Sequence, residues 1–294
     1  MCEPKCPQRE VITPCSCIHD TKSGVTIICG GIEDIKLKTV FKRISDTISE
    51  RNFDSLVINN TKIKEIQADA FGDTSFKNVF FRGTKNLEKI NSEAFVKTAH
   101  FIRQFVLDNS LSLLDSHAHP YHLFDLVNSF ENLQILQMLY PNLNHIKSQA
   151  FKLTKLTNLE LSDGKNQFDI RSIGDQAFSS LDSLKFLDLR FNKLSKINEK
   201  TFSFNVKTTQ RLDLDLTGNL LTDESFPEKS LLNFNRPVDL TLTNNEIKVF
   251  DPLVFKPFLD DPFFSNKLWL KDVKIDCNDC RNHWLFINKD KYQS

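Results

Sequence analysis

Three histidines in the segment LSLLDSHAHPYHLFDLV, His117, His119 and His122, with Asp115 beside them, have the types and spacing that could hold a metal. Imidazole and carboxylate groups are ordinary zinc ligands, but a site also needs fixed geometry. Pro120 interrupts this run, so a solvated insert is the simpler expectation, and no metal or other cofactor is assigned. Cys277-x-x-Cys280 has the spacing of a redox pair but lacks the strand–helix–strand context such a pair requires. No Ser-His-Asp or Cys-His set falls within one segment that could act as a unit. A metal-binding or enzymatic protein working through the histidine insert is therefore the alternative reading, and a non-enzymatic protein the favoured one.

The elements that would position any site are repeats. In Leu184–Phe202, LKFLDLRFNKLSKINEKTF, the large apolar residues fall at Leu184, Leu187, Leu189, Leu194, Ile197 and Phe202. That is neither a helical period nor plain alternation. Leu187-Asp188-Leu189 reads as a short strand, with Asn192 turning the chain because its amide can both donate and accept. The order resembles the leucine-rich repeat pattern L-x-x-L-x-L-x-x-N-x-L. Similar units are anchored at Leu56, Val79, Phe105, Leu136, Leu159, Leu187, Leu214, Leu240 and Leu268, spaced by 23 to 31 residues. One such unit cannot bury its own apolar face, so the expected fold is an α/β leucine-rich repeat solenoid. Its parallel sheet should line a concave face, with loops and short helical turns on the convex side. On the return path a small or modest residue precedes Phe at Phe71, Phe95, Phe151, Phe178, Phe202, Phe226 and Phe255, which predicts stacked inward rings. Asn192, Asn219 and Asn245 hold the turn position, whereas Thr61, Thr84, Pro141 and Gly164 stand there elsewhere.

The 38 basic and 38 acidic residues balance, and no basic stripe suggests nucleic acid as a partner. No apolar run is long enough to span a bilayer. Cys6, Cys15, Cys17 and Cys29 cluster at the start, where disulfides can stabilise a cap too small to hold itself together. Disulfides imply an oxidising compartment, so the protein reads as secreted and extracellular. The opening MCEPKCPQRE has no apolar signal core, so the chain reads as a mature form. Eight or so repeats separate the ends by roughly 40 Å, too far for a disulfide between them. An odd cysteine is thus left over at the start; Cys2 is the candidate, either as a free or blocked thiol or in a bond to a second chain.

The repeat register also sorts side chains. Phe80, Val106, Ile135 and Leu139 should form an apolar patch on the outward face of the strands. Glu160, Asp188, Asp213, Asp215 and Asp239 should form an acidic strip, with Phe186, Arg190 and Trp269 on the same face. Like charges on adjacent strands are unfavourable, so a partner or cation should neutralise the strip. The bland reading is a solvated face with scattered apolar residues. Solenoids reuse this face for binding, and a protein ligand there is the expected partner. Asn59-Asn60-Thr61 is an acceptor sequon, so a glycan on Asn59 would shade the rim of that face.

The order Cys6, Cys15-Ser16-Cys17, Cys29 resembles the N-terminal cysteine cap of extracellular leucine-rich repeat proteins. Lys274–Phe286, KIDCNDCRNHWLF, resembles the start of their C-terminal cap, with Trp284 closing the core. It departs from the family by placing two residues between Cys277 and Cys280 and by lacking further cysteines before Ser294. The opening CPQREVITPCSC…IICGGI and the Phe-rich repeats resemble a group of secreted arthropod proteins that includes the non-catalytic subunit of a shrimp luciferin monooxygenase. The resemblance implies a non-catalytic binding or stabilising subunit, with cap disulfides drawn from Cys6, Cys15, Cys17, Cys29, Cys277 and Cys280. A Toll- or Slit-like recognition or adhesion ectodomain is a further alternative. The expected organisation is a cap over 1–30, repeats over 31–265 with an insert near 111–130, and a last repeat with a partial C-terminal cap over 266–294. If the register is right, Leu187→Ala is a core truncation costing about 2–5 kcal/mol, read as a lowered urea midpoint.

Overall fold

A run such as Phe-Leu-Asp or Leu-Asp-Leu-Asp buries every second side chain, and such strands gain stability only when several stack. In the computed structural model, which describes residues 5–108, 121–139, 143–162 and 169–287, they stack in two compact units, 1–142 and 143–294. Cys2, His117, His119 and the turn residues Pro141 and Gly164 lie outside the described residues, as does much of the 111–130 insert.

The first unit begins with helix α1 (Arg9–Ile12), strand β1 (Ser16–Asp20) and strand β2 (Gly24–Gly31). Helix α2 (Leu37–Thr47) follows, then β3 (Asn52–Asn60), β4 (Glu65–Ile66), β5 (Ser75–Arg82), β6 (Lys89–Ile90), β7 (Gln104–Asp108), helix α3 (Tyr121–Asn128) and β8 (Ile135–Leu139). β1 is antiparallel to β2, and from β2 through β3, β5, β7 and β8 every pairing is parallel. The anchors Ile27, Leu56, Val79, Phe105 and Leu136 face one another without a slip. All five are fully buried. α2 forms between β2 and β3 because Leu37, Val40, Phe41 and Ile44 fall on one face and are buried there. Cys6–Cys17 and Cys15–Cys29 are disulfides, tying α1 and β1 to the strand that starts the stack.

The second unit holds β9 (His145–Ile146), β10 (Asn158–Glu160), β11 (Ser172–Ile173), β12 (Phe186–Asp188), β13 (Leu212–Asp215), β14 (Val238–Thr241), helix α4 (Pro252–Leu259), β15 (Lys267–Trp269) and helix α5 (His283–Ile287). Leu159, Leu187, Leu214, Leu240 and Leu268 again align in a parallel ladder through β10, β12, β13, β14 and β15. β9 pairs with β11 on the return path, as β4 does with β6 in the first unit.

Each turn asparagine of the second unit serves two repeats at once. Asn219 accepts from the Leu194 N–H at 3.1 Å and donates to the carbonyls of Leu189 at 3.0 Å and Leu216 at 2.9 Å. Asn245 repeats the pattern with Leu221, Leu216 and Leu242, and Asn192 with Ile170, Leu161 and Leu189. In the first unit the buried asparagine is Asn60, one residue before the expected position. It accepts from Lys62 and Ile63 and donates to the Glu33 carbonyl.

The aromatic spine runs as expected at Phe71–Phe95 (4.4 Å), Phe151–Phe178 (5.8 Å) and Phe178–Phe202 (6.1 Å), all stacked. Beyond Phe202 it departs from the expected order. Phe234, not Phe226, stacks on Phe202 at 5.6 Å and meets Phe258 at 5.9 Å, while Phe226 packs edge-on to Phe255 at 5.5 Å. The return segment before β14 carries two inward rings, Phe226 and Phe234, and the second of them continues the stack from Phe202. Arg236 is also fully buried here, which nothing in the repeat pattern announced. It donates to the carbonyls of Leu184 at 2.7 Å and Asp182 at 2.9 Å and lies 4.4 Å over the Phe204 ring.

At the C-terminal end Asn282 is buried, accepting from Phe250 N–H and donating to the Lys248 and Asp276 carbonyls. Trp284 closes on the same segment, its indole N–H donating to the Phe250 carbonyl at 2.9 Å. Cys277 and Cys280, expected among the cap disulfides, are free and exposed. Removing the Asn219 amide strips the buried Leu194 N–H of that acceptor and two carbonyls of one donor each. Asn219→Ala is therefore expected to cost about 2–3 kcal/mol, measured by urea denaturation.

Candidate protein-binding face

In the first unit the outward positions come from β2, β3, β5, β7 and β8. Phe80, Ile135 and Leu139 are partly exposed there, as expected. Val106 is not: it is 4 % exposed, because Phe80 and Gln137, both larger, flank it in the ladder. The Arg82 guanidinium lies 4.8 Å over the Phe80 ring and keeps that ring on the surface with a charged cover. The β1–β2 turn overhangs the same face, enclosing an open cavity of about 610 Å³ with Lys22, Asp54, Lys77, Asn78, Phe80 and Arg82 on its wall.

Asn59 stands exposed at the end of β3, opposite Gly30. Its side-chain oxygen lies against Gly30, 2.1 Å from where a Cβ there would stand, so a side chain at that position would push the Asn59 amide aside. Asn60 is buried, and the Thr61 N–H donates to the Gly31 carbonyl at 3.1 Å. Of the two sequon asparagines, only Asn59 presents its amide to solvent.

In the second unit the outward side chains form two rows across the strands. One row runs Asn158, Phe186, Asp213, Asp239 and Lys267; the other runs Glu160, Asp188, Asp215, Thr241 and Trp269. The acidic strip is real in position but not in charge. Asp188 is 1 % exposed and held by Arg190 through Nε at 3.0 Å and Nη2 at 2.6 Å. Arg190 Nε also lies 3.6 Å from Asp215. Its hydrogen bond to Asp188, and then the charges of Asp188, Asp215 and Glu160, hold the guanidinium above its ordinary pKa. Asp215 accepts in turn from the Thr217 N–H. Arg211, immediately before β13, pairs with Asp239 and donates to Ser265 in the next repeat. Part of the charge that a partner or cation was expected to supply comes from the chain's own Arg190 and Arg211. Arg211 was missed because its relation to Asp239 spans one repeat of 28 residues and is invisible locally.

Asp213 is what remains. It is exposed, and no hydrogen bond or ion pair joins its carboxylate to another described residue. Burial and the neighbouring Asp239 raise its pKa, against a smaller lowering by Arg211. Asp213 sits between Phe186 and Asp239 in its row, with Trp269 exposed on β15. The face therefore combines fixed ion pairs, one uncompensated carboxylate and accessible aromatics. His122 lies on α3. Among the described residues no group of three or more His, Cys, Asp or Glu side chains is placed to hold a metal, and no helix is long and apolar enough to cross a membrane.

The BspA type leucine rich repeat region matches this sequence in six copies, over residues 28–123 and 121–250. The chain belongs to this leucine-rich repeat family. Among characterised relatives, the non-catalytic subunit of Oplophorus-luciferin 2-monooxygenase from Oplophorus gracilirostris is 26% identical over 252 residues, 83% of this chain and 64% of that protein. Toll-like receptor 3 from Bos taurus is 29% identical over 86 residues, 29% of this chain and 9% of the receptor. The chain thus spans less than two thirds of either relative. Among solved structures, human 5T4 (Wnt-activated inhibitory factor 1, trophoblast glycoprotein) has a TM-score of 0.52 at 16% identity, covering 99% of this chain and 100% of that one, a likeness of fold.

The raised pKa of Asp213 has a definite sign. The folded leucine-rich repeat holds its proton more tightly than the unfolded chain, so this residue's contribution to stability falls as pH rises through that window. Asp213→Asn is expected to raise the melting temperature slightly at pH 7, by no more than about 0.5 kcal/mol at this exposure. The gain should vanish below the unfolded carboxylate pKa, a comparison made by thermal melts across pH 3 to 7, roughly.

Proposed function

We propose that this protein is a secreted, non-catalytic leucine-rich repeat module that holds a partner protein against the outward face of its sheets. The reading rests on one observation: Arg190 and Arg211 lock the acidic side chains of the second unit in place while Asp213 stays uncompensated beside Phe186. Fixed charges and rigid aromatics cost little entropy to bury, which is what an interface anchor needs. Phe80, Ile135 and Leu139, with Val106 beneath them, are assigned to the outward face of the first unit, and Glu160, Phe186, Asp188, Arg190, Asp213, Asp215, Asp239 and Trp269 to that of the second. A partner carrying a Lys or Arg opposite Asp213 fits the electrostatics.

The intrachain disulfides suit an extracellular, oxidising compartment. The similarity to a non-catalytic subunit supports a stabilising role beside a separate enzyme. An N-glycan on Asn59 would border the outward face of the first unit. The test is affinity capture from the source tissue's secretions, followed by titration of the recovered partner with Asp213→Lys/Phe186→Ala. Binding is expected to weaken at least about tenfold, with an unchanged melting profile. Equal affinity for the double variant would remove this face from the interaction.

A further inference from the structure

Among the described residues no element closes the stack of the second unit beyond β15. Among the described residues β15 pairs only with β14, and its other edge is bonded to nothing. The core positions of this last repeat show the consequence. Leu240, Leu242 and Ile247 are buried, whereas Leu268, Leu270 and Ile275, one repeat later, are all partly exposed. The described part of the segment that follows bonds elsewhere. Asp276, Asn282 and Trp284 bond to Lys248 and Phe250, which lie on the return path of the preceding repeat.

The groups on this edge are specific. Leu242 N–H donates to the Trp269 carbonyl at 3.2 Å, so the backbone groups of Trp269 point toward β14. N–H and C=O of one strand residue share a side and alternate along the strand, so those of Leu268 point outward, unmet. We propose that this edge pairs with the β15 of a second copy of the chain, antiparallel and two-fold symmetric about Leu268. In that register the two Leu268 residues exchange both backbone hydrogen bonds and cover each other's half-open side chains.

The flanking residues then complement one another. Lys267 of one copy stands opposite Trp269 of the other as a non-hydrogen-bonded pair, the geometry in which cross-strand side chains come closest. Within one chain Lys267 Nζ already lies 5.9 Å from the Trp269 ring, which is 42 % exposed. The two-fold axis makes this cation–aromatic contact twice. A strand edge that would otherwise invite indiscriminate pairing is closed by its own duplicate. This pairing uses the backbone edge of the sheet; it shares Trp269 with the outward face but neither Asp213 nor Phe186, the residues altered in the binding test, so the two readings fail separately.

The test is sedimentation velocity from micromolar to about 0.1 mM, a range bracketing ordinary homodimer affinities. The full chain carries Cys2→Ser, Cys277→Ser and Cys280→Ser, so no inter-chain disulfide can hold the complex. A concentration-dependent dimer is expected. Leu268→Pro removes the outward N–H while sparing the bonds to β14, and should give a folded monomer by circular dichroism. If Leu268→Pro misfolds, Trp269→Ala stands in for it, weakening the dimer about tenfold through two lost contacts. The exchange Lys267→Trp/Trp269→Lys keeps the facing pair and should restore the dimer. A parent protein monomeric throughout overturns the proposal. So does a dimer indifferent to Trp269→Ala, or a monomer that dimerises only when residues 288–294 are deleted.

Discussion

Three successive repeats of the second unit turn the chain inside the protein, where an unpaired backbone group is costly, and an asparagine amide is what makes each of those turns possible. Asn192, Asn219 and Asn245 do more than close their own loops. Each accepts from a backbone N–H of the repeat before it, and for Asn219 and Asn245 that donor lies two residues past the preceding asparagine. Each also donates to carbonyls of both repeats. The turn of one repeat is therefore completed only by the presence of the next. The leucine ladder and the Phe spine supply most of the burial, but they are non-directional. The amides fix the register in which that burial occurs.

The outward face follows from the same register. Parallel strands one repeat apart place equivalent residues side by side, so an aspartate recurring at one position would stack like charges. Here the recurrence is tolerated because arginines enter the rows. Arg190 bridges Asp188 and Asp215, and Arg211 ties Asp239 to Ser265 of the following repeat. These pairs give the face fixed geometry, and they concentrate its remaining negative character at Asp213.

The beginning and the end of the described chain are treated differently. At the start, two disulfides and the antiparallel β1 cover the first parallel strand and bury Val25, Ile27 and Cys29 fully. At β15 no comparable element exists among the described residues. Asn282 and Trp284 anchor the final segment by hydrogen bonds on the return side. The first unit is closed covalently at β2, whereas in the second unit the Leu268 backbone meets no partner among the described residues.

Much of this was determined by the sequence itself. The strand anchors from Leu56 to Leu268 were legible because apolar spacing reports which residues share a core, and each aligned as spaced. The four cap cysteines were legible from their clustering, although not their pairing, which depends on which strands approach. What the tertiary structure alone decided involves partners a repeat or more apart. The compensation by Arg211, the burial of Val106 beneath Phe80 and Gln137, and the switch of the spine from Phe226 to Phe234 are of this kind. So is Arg236, which meets carbonyls more than fifty residues away. Local pattern records which face a side chain takes, because the strand period sets it. It cannot record which neighbour waits there, because that depends on the length of every intervening loop.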